Sequence, residues 1–177
     1  MTFSSEKSAG SAGGVGPAAD GSRISAHAAQ VLRAGLGAFL ALAAVGWLAH
    51  ASRQPWILGS FGATCVLLFG FPDGPFSQPR NIIGGHLLTT FAGLLVLQLC
   101  GPGWLPMAAA CACALMLMML TRTVHPPAGS NPVIVFMAQP GWSFLLLPTL
   151  AGAALILLIG WLYWRVLQRK RWPSRWY

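Results

Sequence analysis

An all-α polytopic membrane protein is the fold class this sequence predicts, and three observations predict it. Hydrophobic residues make up 55% of the chain and charged residues 8%, with a mean hydropathy of +0.63, far from the balance of a soluble domain. Apolar runs of spanning length recur along the 177 residues. Between them lie two stretches, 56–71 and 121–136, where prolines, glycines and small polar residues break the helical pattern. The expected architecture is four full transmembrane helices plus two half-length broken helices, arranged as an inverted repeat.

The elements follow in chain order. Residues 1–28 are rich in Gly, Ser and Ala and short of large apolar groups, so they read as a disordered tail; no apolar core precedes a cleavage site there, so they do not read as a signal peptide. Residues 29–167 form the transmembrane domain. Its first span covers about 31–49 and is ended by His50, Ser52 and Arg53. The run 56–71, opened by Pro55 and punctuated by Gly59, Ser60, Gly62 and Thr64, would make a straight helix of about 24 Å, short of the roughly 30 Å hydrocarbon core. It is expected to be helical only from about Ala63 onward. Pro72, Asp73, Gly74 and Pro75 then make a turn. Spans of about 82–100 and 105–120 follow, joined at Gly101-Pro102-Gly103. The second break carries His125, Pro126 and Pro127, which cannot continue a helix, and a short helix is expected to start near Ser130, with Pro132 in its first turn. The last span covers about 144–166, and 168–177 is a basic tail.

Charge and cysteine usage exclude several function classes. The net charge of +8 does not point to nucleic acid, because Arg165, Arg169, Lys170, Arg171 and Arg175 crowd the last thirteen positions, where they face anionic membrane lipid. Cys65, Cys100, Cys111 and Cys113 all sit in apolar runs; no disulfide framework or metal site is indicated, and no cofactor is expected. There is no Gly-x-Ser-x-Gly, no His-Glu-x-x-His, no phosphate loop and no pair of acid/base carboxylates, so the chain does not read as an enzyme.

Sliding the chain against itself by 67 residues aligns Gly62 with Gly129, Phe69 with Phe136, Gly74 with Gly141, Gly85 with Gly152 and Gly93 with Gly160. The repeat halves are about 31–100 and 101–167. If the short segments dip in and return, each half crosses twice, the halves are parallel and Arg53, Arg80 and Arg122 all face outside; if they complete a crossing, each half crosses three times and the halves are inverted. Arg80, Arg122 and both termini then lie on the cytoplasmic side and only Arg53 outside, as the positive-inside rule prefers.

Three motifs, Gly59 to Thr64, Gln78-Pro79-Arg80-Asn81 and the run His125-Pro126-Pro127-Ala128-Gly129-Ser130-Asn131-Pro132, resemble the signature of the HPP family of integral membrane proteins. The resemblance covers roughly residues 30–166. It implies a small helical membrane protein, usually described with four transmembrane helices, some of whose plant and cyanobacterial relatives are associated with nitrite transport.

Paired broken helices in inverted halves are the sequence pointer to a transporter's midplane site. The expected binding residues are Gly62, Ala63, Thr64, His125, Gly129, Ser130 and Asn131, whose convergent helix N-termini and polar side chains suit a small monovalent anion. Nitrite is the first candidate, by resemblance. No carboxylate lies in any span to serve Na⁺ or a proton relay. Arg80, Asn81 and Arg122 are candidates for gating or recruitment, although the plainer reading of both arginines is a topology anchor. His86 reads as a packing or interfacial residue, and the glycines as helix contacts. The competing reading is a membrane sensor or scaffold domain that binds a ligand or partner without moving it. The expected location is a bacterial inner membrane, with lipid, the anion and optionally further copies of the chain as partners.

Overall fold

The computed structural model describes residues 17–54 and 56–174, and among them every regular element is helical. Helix α1 spans Pro17–Ser52. It starts well before residue 31, so the part of the expected tail from 17 to 28 continues the first helix; Pro17 is suited to a first turn, and five alanines between 18 and 29 favour helix. Residues 1–16 of that expected tail lie outside the described residues. The first broken segment is helical from Ser60, as α2 (Ser60–Cys65), and continues through a π-helical turn over Val66–Gly70. That start is three residues earlier than Ala63. Helix α3 (Pro79–Cys100) begins with a proline in its first turn, and α4 covers Trp104–Leu120.

Helix α4 ends in a Schellman motif: Arg122 takes a left-handed φ of 55°, Arg122 N–H donates to Met119 O at 3.2 Å and Thr123 N–H to Met118 O at 2.9 Å. After this stop the chain runs extended into His125 and forms a 3-10 turn at Pro126–Ser130. It then enters α5 (Asn131–Ala138), so the second short helix begins within one residue of the position expected from sequence. The last span, Trp142–Leu167, kinks at Leu147, the residue before Pro148, and contains α6 (Ala151–Leu162) between π-helical turns.

Among the described residues three helices, and not four, are long and apolar enough to cross a membrane: Arg23–Ser52, Pro79–Cys100 and Trp142–Leu167. The expected fourth, α4, has 17 residues and so reaches about 25 Å.

Element boundaries repeat with the 67-residue offset. Pro79–Cys100 answers to Leu146–Leu167, and Ser60–Gly70 answers, to within a residue, to Pro126–Ala138. The packing repeats as well, with the halves exchanged. A Cβ placed on Gly85 would lie 2.7 Å from His125 Cβ, 3.2 Å from Thr123 O and 3.5 Å from Ala128 Cβ; one on Gly152 would lie 2.5 Å from Phe61 Cε2 and 2.8 Å from Trp56 O. Under the offset, Gly152 answers to Gly85, Ala128 to Phe61 and Thr123 to Trp56. Gly93 meets Val135 and Gly160 meets Leu68 in the same way. Helices α3 and α6 therefore each meet, at glycines, the broken helix of the other half, while α1 packs on the first broken helix and α4 on the second. Helix α1 likewise packs on α6, and α4 on α3.

Helices in lipid gain little from hydrophobic burial against one another, so close packing has to hold them. Phe61, Leu68, Ile82 and Ile156, all fully buried, fill the centre around these glycine contacts. The basic tail returns to the bundle: Trp172 is buried and its indole N–H donates to Pro72 O at 3.1 Å. An alanine at Gly152 has no room, and Gly152→Ala is expected to lower unfolding stability in detergent by about 1–3 kcal/mol. Gly129→Ala, where a Cβ meets nothing within 4 Å, is expected to stay within about 0.5 kcal/mol of wild type. Equal thermal midpoints for the two variants would contradict the exchanged packing.

Candidate functional site

The two broken helices meet at a buried polar cluster built on α3. His86, Thr89 and Thr90 share one face of α3 by their i, i+3, i+4 spacing, and all are 0% exposed, as are Thr64, His125, Asn131 and Thr149. Several locks bring His125 there. Arg80 Nη2 donates to Thr121 O at 2.9 Å, at the end of α4, and Asn81 Nδ2 donates to Val124 O at 2.8 Å. Gly85, lacking a Cβ, then lets the Thr123 carbonyl and the His125 Cβ lie against α3.

The hydrogen bonds of the cluster assign its protons. Phe76 O can only accept, so His125 Nδ1, 2.7 Å away, carries a hydrogen and leaves Nε2 as an acceptor. The Asn131 Oδ1 accepts from Ser60 Oγ at 2.7 Å, so its Nδ2 donates, to His86 Nδ1 at 3.0 Å and to Thr90 Oγ1 at 3.0 Å. His86 Nδ1 is thereby an acceptor, and the ring's hydrogen sits on Nε2. Thr64 Oγ1 lies 3.0 Å from His86 Nε2 and 2.9 Å from His125 Nε2; it accepts from the first ring, and its one hydrogen is shared between the second ring and the Ser60 carbonyl, 3.1 Å away. Thr149 extends the network by donating to Thr90 at 3.3 Å. Among the described residues no buried side-chain nitrogen or oxygen is without a hydrogen-bond partner. The two imidazole centroids are 5.1 Å apart, and Phe61 meets the edge of His86 at 5.2 Å.

Of the residues expected at the site, Thr64, His125 and Asn131 come together. Gly62, Ala63, Gly129 and Ser130 do not join them. Ala63 and Ser130 are exposed, and Gly62 and Gly129 have open space where a Cβ would sit. The Ser130 hydroxyl donates to Pro127 O at 2.8 Å, within its own turn. The close backbone approach expected of Gly129 belongs to Gly85. Arg80 and Asn81 brace the segment before His125, and Arg122 terminates α4. Sequence reasoning missed Ser60, His86, Thr90 and Thr149. The signal was the 86, 89, 90 spacing, which places three polar side chains on one face of an otherwise apolar helix.

A cleft of about 530 Å³ opens beside the cluster, lined by Gly59, Ser60, Ala63, Val66, Pro126 and Ser130, among others. Ser60 belongs to both: it lines the cleft and donates to Asn131.

Residues 24–173 match the family model described as HPP, transmembrane region. The chain belongs to the HPP family. The three motifs that carry the likeness, apart in sequence, are the ones this HPP chain folds together: Gly59 to Thr64 supplies the bridging hydroxyl, Gln78 to Asn81 the brace, and His125 to Pro132 the second imidazole and the amide. Two curated relatives are transmembrane proteins of Dictyostelium discoideum. One is 31% identical over 129 residues, covering 68% of this chain and 45% of the relative. The other is 29% identical over 130 residues, covering 69% and 42%. The chain thus spans less than half the length of these relatives. No solved structure matches it significantly.

Removing the Asn131 amide strands Ser60 Oγ and His86 Nδ1 in the interior, and an unpaired buried polar group costs about 1–3 kcal/mol. Asn131→Ala is therefore expected to destabilise the protein by at least about 2 kcal/mol in detergent unfolding. Ser130→Ala, which loses one bond at an exposed position, should cost about 1 kcal/mol or less. An equal or larger effect at Ser130 would place the organising contacts elsewhere.

Proposed function

We propose that this HPP-family chain forms a membrane transporter or channel domain for a small monovalent anion, with nitrite the first candidate by resemblance. The observation that carries this reading is the buried meeting of two broken helices, where Ser60, Thr64, His86, His125 and Asn131 converge from three helices and one extended segment. Burying this many polar groups at the centre of an apolar bundle is costly without a task. Broken helices also supply polar backbone and side chains at membrane depth, the usual construction of a transporter's solute site.

The chemistry favours an anion. Asp73 is the only acidic residue beyond position 20, and it lies in the turn after the first broken helix, so the cluster holds hydroxyls, an amide and imidazoles with no carboxylate to attract a metal cation. The side chains around Ser60 are hydrogen-bond donors that an anion can use once the Ser60–Asn131 bond opens toward the cleft. The exchanged glycine contacts and the matching element boundaries support two halves related by a two-fold axis. With that axis in the membrane plane the halves are inverted, Arg80 and Arg122 share the cytoplasmic side with both termini, and six segments cross.

Uptake into proteoliposomes, with nitrite, nitrate, formate and chloride offered in turn, tests this reading. At least one anion should enter faster than into empty liposomes, and His125→Ala should bring that flux down to the empty-liposome level while the protein still inserts. Background flux for wild type with all four anions would leave this domain as a non-transporting membrane sensor or scaffold.

A further inference from the structure

We propose that His86, Thr64 and His125 form a proton relay, so that this domain moves protons along a path from the Asn131 amide to the turn at 75–77; the pairing of that proton with a solute rests on the transport reading above, the relay itself does not. The two imidazoles lie side by side with centroids 5.1 Å apart, and the Thr64 hydroxyl bridges them, 3.0 Å from one Nε2 and 2.9 Å from the other. Their hydrogen bonds run in one direction, from Asn131 through His86 and Thr64 to His125 and then Phe76 O at 2.7 Å. A hydroxyl that accepts from one ring and donates to the next is the smallest unit that can pass a proton without moving an atom heavier than hydrogen. The carboxylates absent from the spans are not needed for it, since imidazole both takes and gives a proton near neutral pH.

The step balances. When the Asn131 amide turns its N–H wholly to Thr90, the lone pair of His86 Nδ1 is free to take a proton from a hydronium ion, leaving water, and the ring becomes an imidazolium. Its Nε2–H bond then breaks as that proton bonds to Thr64 Oγ1, and the original Thr64 O–H proton passes to His125 Nε2. His86 is left neutral with its hydrogen on Nδ1, the hydroxyl is restored, and His125 carries the charge. His125 is itself fully buried; its Nδ1–H leaves Phe76 O and gives its proton to a water entering at the 75–77 turn, where Phe76 is exposed, so that hydronium departs there. For reset each ring swings to water, gives up to it the hydrogen left by the transfer (His86 Nδ1–H, His125 Nε2–H) and takes one from it at the other nitrogen, after which the Thr64 hydroxyl rotates back toward His125.

The surroundings fit transfer better than storage of a fixed charge. Among the described residues no carboxylate, lysine or arginine is hydrogen-bonded to either ring. The groups that meet them are Thr64 and Phe61 of the first broken helix, Asn131 of the second, the Phe76 carbonyl and one another. Cys65, also buried on the first broken helix, is the remaining titratable side chain adjoining Thr64. A purely structural bridge would not need two titratable rings, because apolar side chains of similar volume fill such a site at lower cost.

The test uses the full chain in proteoliposomes with a trapped pH-sensitive dye, driven by a potassium gradient and valinomycin. Wild type should acidify the lumen faster than empty liposomes, and more slowly in D₂O. Thr64→Ser, which keeps the hydroxyl, should retain that flux, while Thr64→Val should lose it down to the empty-liposome rate. Should Thr64→Val fail to elute as a single species, His86→Gln takes its place, since its amide can bond Thr64 but cannot take up a proton as imidazole does. Wild-type proton flux in the variant that folds, or wild type no faster than empty liposomes, overturns the relay. Anion flux without proton flux overturns the relay and keeps the transport reading; Thr64-dependent proton flux without anion flux does the reverse.

Discussion

One hydroxyl between two imidazoles joins the parts of this protein that sequence leaves apart. Thr64 comes from the first broken helix, His86 from the long helix α3 and His125 from the break before α5, and the bonds of 3.0 and 2.9 Å connect all three. Around that bridge the Asn131 amide ties in Ser60 and Thr90, so each broken helix is anchored to the other and to α3. A break in a membrane helix persists only where its polar groups find partners in the protein. Here the side chains of one break and its neighbour satisfy one another.

The bridge needs the helices to come close, and the exchanged glycines permit it. Gly85 gives His125 its place against α3, and Gly152, its counterpart, gives Phe61 its place against α6. Since Phe61 also meets the edge of His86 at 5.2 Å, the second contact supports the first. Each broken helix thus lies between a long helix of its own half, α1 or α4, and one of the other half, α6 or α3. Polar His86, Thr89, Thr90 and His125 stand where the 67-residue offset puts Ala153, Ile156, Leu157 and Leu58, which confines the polar chemistry to one side of the paired frame.

Much of this frame is legible in the sequence. Composition gives the membrane class, the prolines at 126 and 127 give the break, and the 67-residue offset picks out Gly85, Gly93, Gly152 and Gly160, all of which meet close neighbours. The start of α5 follows from Pro132 and lies within one residue of its expected position. What the sequence does not disclose is rotation about a helix axis. Gly62, Ala63, Gly129 and Ser130 look equivalent to Thr64 and Asn131 in a linear motif, yet the turn of each helix sends Ala63 and Ser130 outward and Thr64 and Asn131 inward. His86 was readable only through its company: a histidine beside a glycine suggests packing, whereas its spacing with Thr89 and Thr90 marks a polar face. The length of α1 was hidden by a glycine- and serine-rich start, because alanines within it favour helix without any apolar periodicity to announce it.

The directional chain through Thr64 is the central claim, and nitrogen NMR of histidine-labelled protein in bilayers tests it most directly, with His86 and His125 assigned by single substitution. The account requires two neutral rings of opposite tautomer at neutral pH, His86 with its hydrogen on Nε2 and His125 with its hydrogen on Nδ1. Thr64→Val should shift both sets of signals together. Two rings of the same tautomer, or signals at either ring untouched by that substitution, would contradict it.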